Sequence, residues 1–271
     1  MYPAKFEYVR ALDVADALAK ISSDEDAKFI AGGHSLVPLM KFRLATPSLL
    51  VDISQLRELS YVKDEGDYVA IGALTRHHDL ERSEILKSHV PILSHVAGMV
   101  GDPQVRHRGT IGGSVAHGDG ASDLPAALLA LDATMVATGS KGEREISARG
   151  FFKGFLETDL SPDEILTEIR VPKGIGAWSF KKFNRRAQDW AIVGVAAVRN
   201  GSTKIAFVNM GSSPLRSIGC ETALDGGASI AEAAELAAAG IEPPSDLNAS
   251  SEFRVHLAKV LTRRALEEME G

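Results

Sequence analysis

The 271-residue chain contains a single cysteine, Cys220. One thiol cannot form a disulfide within the chain, and it cannot supply the four thiolates of an iron–sulfur cluster. The cytoplasm is therefore the expected compartment. If the protein moves electrons, any iron–sulfur relay that serves it has to lie on another chain.

Net positive charge and long apolar runs are missing as well. Acidic residues outnumber basic ones by 36 to 30, so the net charge is -6 and the whole-protein field does not recruit nucleic acid. No apolar run reaches the length that crosses a bilayer. Residues 1–7 contain no basic region followed by an apolar core, so a secretory signal is not expected. Hydrophobic residues at 45% and charged residues at 24% are ordinary for one large globular domain or two smaller ones.

The stretch from Thr110 to Pro125 is rich in glycine, hydroxyl and carboxylate groups. Glycine adopts left-handed dihedrals and lets another group approach the backbone, and successive N–H groups in such a turn form a concave anion site. A single stretch of this kind is usually a structural turn. A second one, Ala31-Gly32-Gly33-His34-Ser35, lies upstream, and two together predict two walls around one diphosphate.

The upstream segment lies between a predicted strand over 28–30 and a predicted helix that begins after Ser35, with Pro38 in its first turn. Strand, glycine turn and helix N-terminus in this order present free N–H groups to an anion. The segment matches neither the G-x-G-x-x-G dinucleotide fingerprint nor a Walker loop.

Turn signals along the chain predict two domains, with the boundary at Lys173-Gly174-Ile175-Gly176. The first domain, 1–173, divides into subdomains of about 1–55 and 56–173, and the second covers 174–271. In the first domain we expect a helix capped by Asp13, a helix capped by Thr75 with exposed or capping His77 and His78, a helix over 124–131 capped by Ser122 and Asp123, and a hairpin over 134–146. In the second domain we expect three strands over 178–183, 193–198 and 203–210. Helices over 230–239 and 251–269 should follow, the last one capped by Ser251.

Five groups of residues follow one another in a characteristic order and spacing: Ala31–Lys41, Thr110–Ser114, Ala121–Pro125, Lys181–Arg186 with Asp189-Trp190-Ala191, and Pro214-Leu215-Arg216. In this order and spacing they resemble the FAD-binding medium subunits of carbon monoxide dehydrogenase and of the wider xanthine dehydrogenase family of molybdenum hydroxylases. The resemblance covers nearly the whole chain.

The resemblance implies an α+β fold with FAD between two subdomains of the vanillyl-alcohol oxidase (PCMH) type, followed by a C-terminal domain with a three-stranded antiparallel sheet and helices. Ser114 stands where the family commonly has asparagine, and His34 where many members have glutamine. The implied FAD contacts, made largely through backbone N–H groups in the two glycine segments, are Ala31, Gly32, Gly33, His34, Ser35, Thr110, Ile111, Gly112, Gly113 and Ser114, with Asp123 as a carboxylate contact and Lys181 as a flavin-side lysine.

The resemblance also implies the function of an oxidoreductase subunit. Electrons from a substrate oxidised on a large molybdopterin-binding subunit would pass through [2Fe–2S] clusters of a small subunit to this flavin, and then to an external acceptor. The expected assembly is a dimer of heterotrimers. No catalytic residue and no metal ligand is assigned to this chain, and neither nucleic acid nor a membrane-spanning segment is expected.

Three alternative functions stay open at this point. Gly112–Ala116 nearly matches the G-x-S-x-G nucleophile elbow of serine hydrolases, with Ser114 as nucleophile and His117 and Asp123 in reach, although Ala116 breaks the pattern. A self-sufficient flavin oxidase is the second alternative, and a non-catalytic binding scaffold without flavin is the third. Trp190 suits either a core position or a place beside the cofactor.

Overall fold

The computed structural model describes residues 2–271. Its strands, in chain order, are β1 Glu7–Arg10, β2 Lys28–Ile30, β3 Leu49–Asp52, β4 Val62–Asp64, β5 Tyr68–Gly72, β6 Thr134–Gly139, β7 Gly142–Ser147, β8 Phe152–Gly154, β9 Glu157–Thr158, β10 Ile165–Pro172, β11 Ala177–Phe183, β12 Val193–Asn200, β13 Ser202–Val208 and β14 Leu215–Arg216. Its helices are α1 Val14–Ile21, α2 Leu36–Lys41, α3 His77–Arg82, α4 Glu84–His89, α5 Pro91–Gly98, α6 Pro103–Arg106, α7 Ile111–His117, α8 Asp123–Ala130, α9 Ala148–Phe151, α10 Ile218–Asp225, α11 Ile230–Glu235 and α12 Ser251–Glu270, with a 3-10 helix at Arg57–Leu59.

The N-terminal part forms a small parallel sheet with the order β1-β3-β2. The central strand β3 is buried along its whole length, as its apolar run predicts. Helix α1 buries Ala17 and Ile21, and the Asp13 carboxylate caps it by accepting from the Asp16 N–H at 2.8 Å. Because parallel strands end at the same edge, the segment after β2 opens at the carboxyl edge of this sheet, where open parallel sheets bind ligands.

A second, antiparallel sheet has the order β4-β5-β10-β6-β7 and contains the predicted hairpin of β6 and β7. Its buried face packs with α3, α5, α7 and α8 in one hydrophobic core, which includes Ile71 and Ile111. Phe180 of β11 and Ala196 of β12, which belong to the C-terminal part of the chain, lie in the same core. The N-terminal part, up to β10, and the C-terminal part, from β11 onwards, therefore share apolar contacts directly.

The third sheet, in the C-terminal part, is antiparallel with the order β11-β12-β13-β14. Its three long strands occur where the sequence predicts them, and Gly201 at φ +73 turns β12 into β13. The fourth strand, β14, has two residues and was not predicted, since two residues show no alternation. Helix α12 covers β11 and β12 with a second core. Within residues 2–271, no helix is both long and apolar enough to cross a membrane.

Helix α8 joins the two parts, because all eight of its residues are buried and it packs against β12, β13 and β14. Charged pairs hold both ends. At the start, Asp123 Oδ2 lies 2.6 Å from Lys182 Nζ. Just after the end, Asp132 pairs with Lys204 and, at 3.2 Å, with Arg216. These pairs fix α8 against the third sheet at its two ends.

Several predicted boundaries are wrong by small amounts. Ser250 rather than Ser251 caps α12. Thr75 does not cap α3, because its hydroxyl is bonded to the backbone of Tyr61. Helix α11 ends at Glu235 instead of continuing to 239, since turns follow it.

Candidate functional site

The segment Ala31–Ser35 leaves the carboxyl end of β2 and leads into α2. Gly33 has φ +77, a conformation that glycine adopts without strain. Within residues 2–271, the N–H groups of Gly32–Ser35 donate to no backbone carbonyl. Ser35 occupies the N-cap position of α2, but its hydroxyl makes no capping bond. Four successive N–H donors and one hydroxyl are therefore available to an anion at this edge of the sheet.

The second glycine segment forms the helix α7, which corrects the prediction of a folded-back turn with exposed N–H groups. All four N–H groups of Ile111–Ser114 have acceptors within the protein. These are Thr75 O at 3.0 Å, Ala73 O at 2.8 Å, Thr110 Oγ1 at 3.1 Å and Thr110 O at 3.1 Å. Contact with an anion through these N–H groups, as the resemblance implies, would require these hydrogen bonds to be shared.

Packing explains why this glycine-containing segment is helical. Ile111 and Val115, one turn apart, are both fully buried. A Cβ atom on Gly112 would lie 2.5 Å from the Cβ of Ala73, so only glycine permits this close approach to the end of β5. Ile111 and Gly112 are core positions, whereas Gly113 and Ser114 lie on the accessible side.

The two glycine segments meet in space. A Cβ atom on Gly32 would lie 2.3 Å from the carbonyl oxygen of Arg108 and 2.9 Å from the Cα of Gly109. Any larger residue at Gly32 would push apart the loop after β2 and the chain that enters α7. The close contact brings the free N–H groups of Gly32–Ser35 next to the start of the second segment.

His77 lies beneath the second segment and is buried, which corrects the expectation of an exposed or capping histidine. Its Nε2 is 3.3 Å from Ser114 Oγ, and a Cβ on Gly109 would lie 2.7 Å from its ring. Burial lowers the pKa of His77 to about 4, so the imidazole is neutral near pH 7. Its Nδ1 is buried without a hydrogen-bond partner among the described residues.

The other histidine of the pair is not part of this contact. His78 stacks on His107 with ring centroids 3.8 Å apart. In residues 2–271, no group of three or more histidine, cysteine, aspartate and glutamate side chains is placed to hold a metal ion.

Asp123 forms a buried ion pair with Lys182, whose side chain is only 3% exposed. Lys182 also donates to Met99 O at 3.1 Å. Burial raises the pKa of the Asp123 carboxyl, and Lys182 opposes this effect. The second oxygen, Oδ1, is closed to solvent and has no partner in the described chain. In this conformation the carboxylate ties α8 to β11, and its contact with a cofactor stays a prediction.

Lys181 lies on the opposite face of β11 from Lys182, because side chains alternate along a strand. Its Nζ is 2.8 Å from Glu268 Oε2 on α12. The structure therefore does not bring Lys181 to Asp123. Ser122, the expected cap of α8, stands at the N-cap position but makes no side-chain capping bond.

The arrangement does not form a hydrolase triad. Ser114 Oγ contacts His77 instead of His117, and the Asp123 carboxylate is bonded to Lys182. Within residues 2–271, the Nδ1 of His77 has no carboxylate partner to orient the ring. Ser114 lies inside α7, so it is not on a sharp turn between a strand and a helix.

Comparison with known proteins decides the family. Residues 4–174 match the family described as the FAD binding domain in molybdopterin dehydrogenase. Residues 178–269 match the CO dehydrogenase flavoprotein C-terminal domain. The chain belongs to the FAD-binding medium subunits of the molybdenum hydroxylases. It is therefore part of an oxidoreductase and a flavoprotein.

Individual relatives of this medium subunit match over almost their full length. The carbon monoxide dehydrogenase medium chain of Hydrogenophaga pseudoflava is 40% identical over 280 residues, which covers 98% of this chain and 97% of the relative. The glyceraldehyde dehydrogenase medium chain of Sulfolobus acidocaldarius is 39% identical over 280 residues, with 99% and 100% covered. A solved carbon monoxide dehydrogenase from Hydrogenophaga pseudoflava, lacking the Mo-pyranopterin moiety, matches with a TM-score of 0.94 at 40% identity, covering 100% of this chain and 99% of that one. The predicted family, fold class and FAD cofactor are confirmed.

The medium subunit's own residues fit the diphosphate of FAD. The free N–H groups of Gly32–Ser35 are donors without side-chain bulk, and N–H bonds to a charged acceptor contribute about 1.5–3 kcal/mol each. Gly32 leaves no room for a Cβ where the two segments meet. On the facing wall, Gly113 and the Ser114 hydroxyl lie on the accessible side of α7.

Sequence reasoning missed the contacts of two residues around this candidate site, His77 and Lys182. His77 shares a helix face with the buried Leu80, three positions on, and this spacing was a usable signal of burial. Lys182 lies on the same face of β11 as Phe180 and Trp178, because every second side chain of a strand points the same way. This alternation predicts that Lys181 and Lys182 lie on opposite faces, but it does not predict which of the two lysines contacts Asp123.

Proposed function

We propose that this medium subunit is the electron-transfer chain of a molybdenum hydroxylase complex. It receives electrons from [2Fe–2S] clusters of a partner subunit and passes them to an external acceptor. The observation that carries the proposal is the near full-length match to chains named as medium chains of dehydrogenases, in a protein with one cysteine. Since one thiol cannot hold an iron–sulfur cluster, electrons that come from such clusters enter from another chain.

The chain's residues bind and orient the cofactor. FAD, when bound, supplies the redox chemistry, and the protein supplies orientation and electrostatics. We assign the diphosphate to the N–H groups of Gly32–Ser35, in the loop that follows β2. The facing wall is formed by Thr110, Gly113 and Ser114. On that wall the hydroxyl groups and the missing side chain at Gly113 would accommodate the cofactor, because the N–H groups already have acceptors within the protein.

His77 supports this wall from below. Its neutral ring contacts Ser114 Oγ and packs against Gly109. A neutral imidazole can donate to or accept from a hydroxyl, depending on the tautomer. We propose that it fixes the direction of the Ser114 hydroxyl, at a position where the family commonly has asparagine.

The proposed partners are a large molybdopterin-binding subunit and a small [2Fe–2S] subunit, in a dimer of heterotrimers. We propose that residues 1–173 hold the cofactor and that 174–271, with the exposed Trp190, face the redox partners. The cytoplasmic location stays a prediction.

The chain is almost equally identical to the medium chain of a carbon monoxide dehydrogenase, at 40%, and to that of a glyceraldehyde dehydrogenase, at 39%. We infer that this chain does not set the primary substrate, which the large subunit oxidises.

Purification of the tagged full chain from its native cells tests the assembly. We expect it to elute with a cysteine-rich small chain and a large chain, and metal analysis should find iron and molybdenum beside FAD. Elution of the chain alone, with FAD but without either metal, under conditions that preserve complexes, would contradict the proposal.

A further inference from the structure

Arg76 differs from the other arginines in its surroundings. It stands at the N-cap of α3 and is partly buried, yet it forms no ion pair with any carboxylate in residues 2–271. Every other described arginine that is not exposed has such a partner: Arg106, Arg144, Arg170, Arg199, Arg216 and Arg254. A half-buried guanidinium without a counter-charge is costly unless an anion binds beside it.

The guanidinium lies where the two glycine segments meet. Its Nη1 donates to the carbonyl oxygen of Arg108, which is the oxygen that excludes a Cβ on Gly32. An isolated bridge also pairs Arg76 with Thr110, the cap of α7. The guanidinium is therefore adjacent to the Gly32–Ser35 loop, whose N–H groups donate to no backbone carbonyl in the part of the chain that the structure describes.

Its neighbours add positive charge. Arg108 is exposed and also forms no ion pair in the described chain. Burial and the nearby Arg108 lower the pKa of Arg76, while Asp79 and Asp52 oppose this only at a longer range than an ion pair. Asp52 is already bonded to the Tyr8 hydroxyl. The guanidinium still carries its charge at neutral pH, because arginine is not deprotonated in proteins.

We propose that Arg76 supplies the counter-charge for the diphosphate group of the cofactor, beside the N–H groups of Gly32–Ser35. The inference rests on the placement of the diphosphate in the proposed function. The loop N–H groups carry only partial charges, whereas a guanidinium presents a full charge and a planar fork that matches phosphate oxygens. Its bond to the Arg108 carbonyl holds the fork in place and leaves its other N–H groups for the ligand.

The test is a titration of the full-length apoprotein with FAD, followed by protein fluorescence. Arg76→Gln keeps a hydrogen-bond donor and removes the charge, and Arg76→Lys keeps the charge. Arg82→Gln is the matched control, because Arg82 is exposed on the same helix and forms no ion pair among the described residues. A thermal melt of each apoprotein checks that it is folded.

At low salt, Arg76→Gln should bind FAD about 10- to 100-fold more weakly than wild type, Arg76→Lys should recover part of the loss, and Arg82→Gln should match wild type. The difference between wild type and Arg76→Gln should narrow as salt rises from about 0.05 M to about 0.5 M.

Unchanged FAD affinity in Arg76→Gln would overturn the inference. So would a loss that is the same at both salt concentrations and equally large in Arg76→Lys, because that pattern indicates only a structural tie to Arg108. The variant Gly33→Val distinguishes a failure of the Arg76 inference from a failure of the proposed diphosphate placement. If Gly33→Val binds FAD like wild type, the diphosphate is not at Gly32–Ser35 and the proposed placement itself is wrong.

Discussion

Replacement of Lys182 or Asp123 tests whether the buried pair acts through the fold or through the cofactor. Asp123→Asn removes the only counter-charge in the described chain of the Lys182 ammonium, whose side chain is 3% exposed, and leaves it with neutral oxygens such as Met99 O as acceptors. Removing one partner of a buried pair destabilises by about 3–5 kcal/mol, since the other charge stays buried and unpaired. For 271 residues, with an unfolding entropy of about 0.57 kcal/mol/K, that corresponds to a fall in Tm of roughly 5–9 °C.

Lys182→Met should cause a loss of similar size with a defined pH dependence. Burial raises the pKa of Asp123, and without Lys182 nothing opposes it. The folded-state pKa then lies above the unfolded value, so the contribution to stability is full at acidic pH and is lost as the pH rises through the folded pKa. The deficit of Lys182→Met relative to wild type should be smaller at about pH 5 than at about pH 8.

The double variant Asp123→Leu with Lys182→Met completes the cycle. Because it buries no charge, it should recover most of the stability lost in either single variant. Tm is measured on apoprotein, and FAD affinity by titration at a temperature where all variants are folded. A variant Asp123→Asn with normal Tm and weakened FAD binding would refute this reasoning and show that the carboxylate contacts the cofactor directly.

Two further substitutions test the glycine loop and the buried histidine. Gly33→Val should greatly weaken FAD binding, whereas Gly227→Val, which has the same left-handed strain at φ +83 but lies between α10 and α11, should cost about 1–2 kcal/mol of stability and leave FAD affinity unchanged. The folded pKa of His77, about 4, lies below its unfolded value, so its contribution to stability is present above about pH 6.5 and is lost as the pH falls towards 4. Chemical unfolding should therefore show that wild type loses more stability than His77→Gln between about pH 7 and about pH 5, and equal losses would contradict the burial of a neutral ring.

Sequence patterns predicted the fold well where a local signal coincides with burial. The run Leu49–Asp52 begins with three apolar residues and forms the buried central strand, and Asn200-Gly201 permits the turn between β12 and β13. The helix α7 was missed because glycine lowers helix propensity. Its stability comes from tertiary contacts of Ile111 and Gly112 with the end of β5, which no local window contains.

The candidate site could be predicted only in part, for a similar reason. The free N–H groups of Gly32–Ser35 follow from a strand, a glycine turn and a helix start in sequence. The pairings of Lys182 with Asp123 and of His77 with Ser114 join residues that are 59 and 37 positions apart. Contacts over such separations depend on how sheets and helices pack, so the sequence gives the residue types but not the partners.

The most direct test of the central claim is anaerobic addition of the primary substrate, with flavin absorbance recorded in the assembled complex and in the isolated chain. In the complex, the flavin should bleach, because electrons reach it from the partner subunits. In the isolated chain, which has one cysteine and retains FAD, the flavin should stay oxidised. Rapid bleaching of the isolated chain would contradict the account and identify a self-sufficient flavin oxidase.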